Sequence, residues 1–177
     1  MNPILDMLMN TAGGGPAQQI GQRFGLSEEQ TGSALTQLVP ALMAGLQRNT
    51  SQEGGMDALL SALHGGNHAE YLDNPEMLSR EATIEDGNSI LGHIFGSKDV
   101  SRAVAGRAAE QTGIGADVLK KMLPVVATLV MGGLGKRAAA VPSGASGGFL
   151  SSLLDQNRDG SMADDVGGIL GRFLGGR

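Results

Sequence analysis

The feature that most constrains this chain is a repeat within it. Displaced by 88 positions, residues 20–48 lie over residues 108–136 without a gap. Gly25 then meets Gly113, Leu26 meets Ile114, and Leu35 meets Leu123. Leu38, Val39 and Leu42 meet Val126, Ala127 and Val130. Met43, Gly45, Leu46 and Arg48 meet Met131, Gly133, Leu134 and Lys136. Ahead of these, Ile4-Leu5 corresponds to Ile90-Leu91 at a spacing of 86, the difference falling near Gly13-Gly14-Gly15. The aligned identities that close each copy read as a duplication, so two related units, about 1–50 and 88–137, are expected to share one core.

Each copy reads as helices. In the first, Asn2-Pro3 offers a cap and a first helical residue for a short apolar turn ending at Met9. Pro16 opens a second helix that stops at Gly25, a natural left-handed terminator. Ser27-Glu28-Glu29-Gln30 has the form of a capping box, with its acids at the positive end of the helix dipole. Leu35, Leu38, Val39, Leu42, Met43 and Leu46 follow at spacings of three and four, one apolar stripe. Pro40 lies inside that stripe and predicts a kink or a break.

The second copy repeats the plan with a short helix over 88–95 and another after Ser97 that ends at Gly113. Residues 118–134 are apolar nearly all round, which predicts the central buried helix, with Pro124 interrupting its pattern. Between the copies, 56–64 reads as a short helix with Leu59, Leu60 and Leu63 inward. Gly65-Gly66-Asn67 reads as a turn, and Asn74-Pro75 starts another helix. No stretch alternates apolar and polar residues long enough to argue for a strand. The expectation is an all-α, multihelical domain over 1–137. A linker of small residues follows at 138–148, and then a separate helical tail at 149–177.

Composition narrows the function. Apolar residues make up 41% and charged residues 18%, which excludes a disordered polyelectrolyte. With four Phe, one Tyr and no Trp, the core must be built from Leu, Ile, Val, Met and Ala. A net charge of −5 repels phosphate backbones, and the longest basic groupings, Lys120-Lys121 and Lys136-Arg137, are short, so no nucleic-acid partner is expected. The absence of cysteine removes disulfides, thiolate nucleophiles and cysteine-based zinc sites, and fits a reducing compartment. The N-terminus lacks a basic region and meets Asp6 early, unlike a secretory signal. The most apolar run, 122–134, falls short of a bilayer span of about 20 residues, so no integral membrane segment and a cytoplasmic location are expected.

Ile90-Leu91-Gly92-His93-Ile94-Phe95-Gly96, the Gly113-Ile114 break and Leu129-Val130-Met131-Gly132-Gly133-Leu134-Gly135 resemble a bacterial family, the YidB-like domain of unknown function 937. The resemblance covers about residues 1–137 and extends to the Asp-rich tail. It implies a soluble multihelical fold with no assigned catalytic activity, and its structural glycines and leucines carry over no active site. Thr128 stands where similar sequences commonly have proline, a departure that implies a straighter helix.

The sharpest chemical motif lies in the tail. Asp155, Asn157 and Asp159 occupy positions 1, 3 and 5 of a candidate calcium loop, with Gly160 at 6 and the Ser161 carbonyl at 7. Position 12 holds Val166 instead of a bidentate acid, so Asp165 would have to close a shortened loop. The competing reading is a helix cap at Asp159 or Ser161, with Asp164 completing a capping box. Further on, Gly167, Gly171 and Gly175 recur every four residues, a face that lets another backbone approach closely. Ile169, Leu170, Phe173 and Leu174 form an apolar face beside it, so this segment reads as a docking helix for another copy, a protein partner or a membrane surface, the plainer reading being packing onto its own domain.

Other candidates read more plainly. His64 and His68, near Glu70, are separated by Gly65-Gly66 and read as a solvated loop, and His93 reads as a core or boundary residue. No serine stands in a G-x-S-x-G elbow. Gly132-Gly133-Leu134-Gly135-Lys136 is not a phosphate loop and reads as helix termination. Glu28-Glu29 and Glu85-Asp86 read as first-turn acids. The expectation is a non-catalytic helical scaffold or adaptor working through protein contacts or self-association. A calcium-responsive regulator is the alternative, and an enzyme or small-molecule binder ranks last.

Overall fold

A computed structural model describes residues 3–9, 15–142 and 148–150, and among these every regular element is helical. The order is α1 (Pro3–Met9), α2 (Pro16–Phe24), α3 (Glu28–Thr50), α4 (Gly55–Gly65), α5 (Glu70–Asp73), a 3-10 turn (Pro75–Ser79), α6 (Glu81–Phe95), α7 (Lys98–Thr112) and α8 (Ala116–Ala139). The local signals explain most boundaries. Pro16 opens α2, and Gly25 closes it in the left-handed region at φ 67°. Gly113 closes α7 in the same way at φ 71°, a conformation that glycine adopts without a steric cost. Ser27 Oγ accepts from the Gln30 amide and Gln30 Oε1 accepts from the Ser27 amide, both at 3.1 Å, a reciprocal cap worth about 1 kcal/mol.

Both long helices run through their prolines undivided, so of the kink or break expected at Pro40 the break does not occur. Proline removes one N–H and crowds the preceding turn, at a cost of about 3 kcal/mol. The neighbours of Pro40 offset this. Leu38, Val39, Ala41 and Leu42 are all fully buried, and each large aliphatic side chain contributes about 1.5–3 kcal/mol. Burial holds the helix through the defect, and the same holds around Pro124 in α8.

The centre of the molecule is α8, against which α1 to α7 all pack. Residues 122–134 are buried without interruption, as the all-round apolar pattern predicts. The helix does not stop at its glycines. Gly132, Gly133 and Gly135 lie inside α8, which continues to Ala139, so termination is the wrong reading. Gly132 and Gly133 are contact positions, as are Gly45 on α3 and Gly87 on α6. A Cβ on Gly87 would stand 2.1 Å from the Pro124 carbonyl oxygen, and one on Gly45 would stand 2.5 Å from Ile94.

With 24 residues, α8 is also long and apolar enough by length and composition to cross a membrane. The run at 122–134 understates it, because the helix also takes in Val118 and Leu119 before the run and Ala138 and Ala139 after it. Within the molecule, however, 78% of its apolar window is covered by other helices.

Two further elements differ from expectation. The helix expected at 88–95 begins at Glu81, and α5 forms within the connection after Gly66. Leu59 of α4 is buried, whereas Leu60 and Leu63 are half-buried. Beyond α8, residues 148–150 are helical and return to the core, with Leu150 fully buried and Phe149 packed beside it.

Candidate functional site

Several polar side chains meet across elements around the connection between α4 and α6. Tyr71 on α5 donates its hydroxyl to Asp86 Oδ2 on α6 at 2.6 Å. Burial, and then the Asp86 carboxylate, hold the Tyr71 phenol above its usual 10.0. The half-buried His68 ring stacks on Tyr71 with centroids 6.3 Å apart. Burial pushes the His68 imidazole below its usual 6.5, while Asp86 pulls it the other way. Thr83 Oγ1 donates to the Met77 carbonyl at 2.6 Å, and Arg23 on α2 donates to the Leu78 carbonyl. Lys136 on α8 pairs with Asp73. Together these contacts clamp residues 68–86 onto α2 and α8, and each polar group named is engaged in holding helices together.

Sequence reasoning did not find this cluster, because its members come from α2, α5, α6, α8 and the turn before α5. The one available signal was that Tyr71 is the single tyrosine. The solvated-loop reading fits His64, which is exposed with Nδ1 2.6 Å from the Leu60 carbonyl oxygen. It does not fit His68, which is pressed between Tyr71 and Gly66. His93 is exposed rather than in the core, because α6 turns Ile90, Leu91, Ile94 and Phe95 inward and leaves His93 on the outer face. Its backbone carbonyl accepts from Asn49 Nδ2 at 2.7 Å. Glu28 and Glu29 do occupy a first turn, but Glu85 and Asp86 sit deeper in α6 because that helix starts earlier. Among the described residues no group of three His, Cys, Asp or Glu side chains is placed to hold a metal ion.

Residues 6–137 match a family model described as a bacterial protein of unknown function, DUF937. The chain belongs to this family. The match runs from within α1 to the last turns of α8, so DUF937 coincides with the packed helical core and ends before the tail. Comparison with curated proteins and with solved structures gives no match.

The apolar stripes of this DUF937 core are spent on its interior. Leu35, Leu38, Leu42 and Met43 are buried, and among the described residues only Met9 is a large hydrophobic side chain with substantial exposure, 47%. A small apolar hollow of about 180 Å³ remains between α3, α4, α6 and α8, walled by Leu46, Leu59, Ile90, Ile94 and Met131. The candidate calcium ligands Asp155, Asn157, Asp159, Ser161 and Asp165 lie outside the described residues. So do Gly167, Ile169, Leu170, Gly171, Phe173, Leu174 and Gly175 of the candidate docking face.

Proposed function

We propose that this protein is a non-catalytic helical scaffold that works through protein–protein contacts, including contacts with further copies of itself. The observation that carries the reading is how the two halves hold each other. α3 packs on α6 and α7 as well as on α1 and α2, and α8 packs on α1 and α2 as well as, more extensively, on α6 and α7, so each long helix grips short helices of both halves. The glycines that permit this occupy matching places in the repeat. Gly45 faces Ile94 and Phe95 of α6, and Gly133 faces Ile4 and Met7 of α1. This packing between halves supports a duplicated unit whose surface is shaped to mate with a copy of itself. Having spent its stripes internally, the core leaves outward adhesion to the tail, where Gly167, Gly171 and Gly175 flank Ile169, Leu170, Phe173 and Leu174.

Light scattering after size exclusion tests this, comparing the full chain with one ending at Leu150, which keeps the docked Phe149 and Leu150. The full chain should associate as its concentration rises and the shortened one should stay monomeric. A full chain that is monomeric at every concentration overturns self-association. The spacing of Asp155, Asn157 and Asp159 favours a second reading, in which calcium orders the tail. Calorimetric titration with calcium should then give heat that Asp159→Ala abolishes, and no heat at millimolar calcium removes the reading.

A further inference from the structure

Charge is distributed unevenly over this acidic chain. α7 and α8 carry Lys98, Arg102, Arg107, Lys120, Lys121, Lys136 and Arg137, against Asp99, Glu110 and Asp117. In linear order these cations form no long run, but the fold gathers three of them. Lys98 and Arg102 from the first turns of α7, and Lys120 from α8, line one hollow of about 510 Å³. Leu91 and Leu123 form its apolar floor, and a hollow of this size suits a small molecule. Gly96, at φ 71°, turns the chain so sharply that α7 starts against the end of α6, with Ser97 at the rim.

Two acids lie near these cations, and neither lines the hollow. Asp99 pairs with Arg102 at 3.0 Å and Asp117 with Lys120 at 3.1 Å. Both pairs are open to solvent, where such contacts contribute little, so a bound anion can recruit the same cations. Lys98 has no ion-pair partner among the described residues. Packing does not explain the cluster either. In the repeat, Lys120 corresponds to Gly32, and α2 carries no charged residue before Arg23. The first half thus builds the equivalent helices without these cations.

We propose that this hollow binds a small phosphate-bearing molecule, its phosphates held by Lys98, Arg102 and Lys120 and its compact body resting on Leu91 and Leu123. Arg102 supplies the planar fork that suits phosphate oxygens, and the two lysines add point charges. The test is calorimetric titration of the full chain with pyrophosphate, alongside Lys98→Gln, Arg102→Gln and Lys121→Gln. Lys121→Gln removes the same charge from the neighbouring position outside the hollow. Saturable binding is expected, weakened about tenfold or more by each of the first two changes and within about twofold of the parent for Lys121→Gln. Melting temperatures should agree among all four proteins, which separates lost binding from lost fold. Absence of saturation up to about 10 mM overturns the proposal, as does equal weakening by Lys121→Gln, which marks a diffuse field instead of a site. The readout is independent of oligomeric state, so this proposal and the scaffold reading can fail separately.

Discussion

At the scale of single residues, burial and a nearby carboxylate act in opposite directions on His68, and burial prevails. The fold therefore holds the ring neutral, with its pKa below 6.5, while the unfolded chain restores it to near that value. Between those two values the unfolded chain binds more protons, so stability should fall as pH drops through 6.5 toward the folded value. Urea melts across this range would measure the slope. His68→Gln, which stays neutral throughout, should flatten it, and an unchanged slope would assign the effect to other groups. The histidines also show what sequence can reveal at this scale. The glycines beside His68 suggested a loop, but which side of that loop its ring would occupy depended on Tyr71 and Gly66 closing around it. His93 was misplaced because the apolar letters around it do not say which face of the helix the packing selects.

At the scale of elements, helix starts and stops were legible because their causes are local. Ser27 with Gln30, Pro16, Gly25 and Gly113 act on backbone groups within one turn. What sequence could not show was the use of glycine inside helices, since the same letter marks an end or a close approach. Gly87 and Gly106 separate the two costs. A Cβ at Gly87 would collide with the rigid α8 backbone at Pro124, whereas one at Gly106 on α7 meets nothing within 4 Å. Gly87→Ala should therefore destabilise by about 1–3 kcal/mol or more, as overpacked sites do. Gly106→Ala should stabilise by about 0.5–1 kcal/mol, the helix preference of alanine over glycine. Denaturant midpoints would read both, and a shift of the same sign in the two variants would contradict the close-approach argument.

At the scale of the whole molecule, one cluster of buried side chains joins helices from both halves and includes Leu150. Small residues at 138–148 suggested that everything beyond was separate, yet α8 runs to Ala139 and Leu150 returns to the interior. Leu150→Ala should then cost about 2–5 kcal/mol, the usual range for emptying a buried leucine site. It should lower the midpoint of one cooperative transition, seen alike by circular dichroism and by the fluorescence of Tyr71. A melting curve unmoved by the change would mean that Leu150 does not belong to the core.

The sequence by itself determined that the chain is helical, where most helices begin and end, and which segment occupies the centre. Those features follow from caps, glycine conformations and apolar periodicity, all of which act within a few residues. The tertiary structure decided that two helices survive their prolines, that glycines bring backbones together, and that three scattered cations face one hollow. Each of these depends on what another helix presents across a gap of tens of residues, and no local pattern encodes that partner.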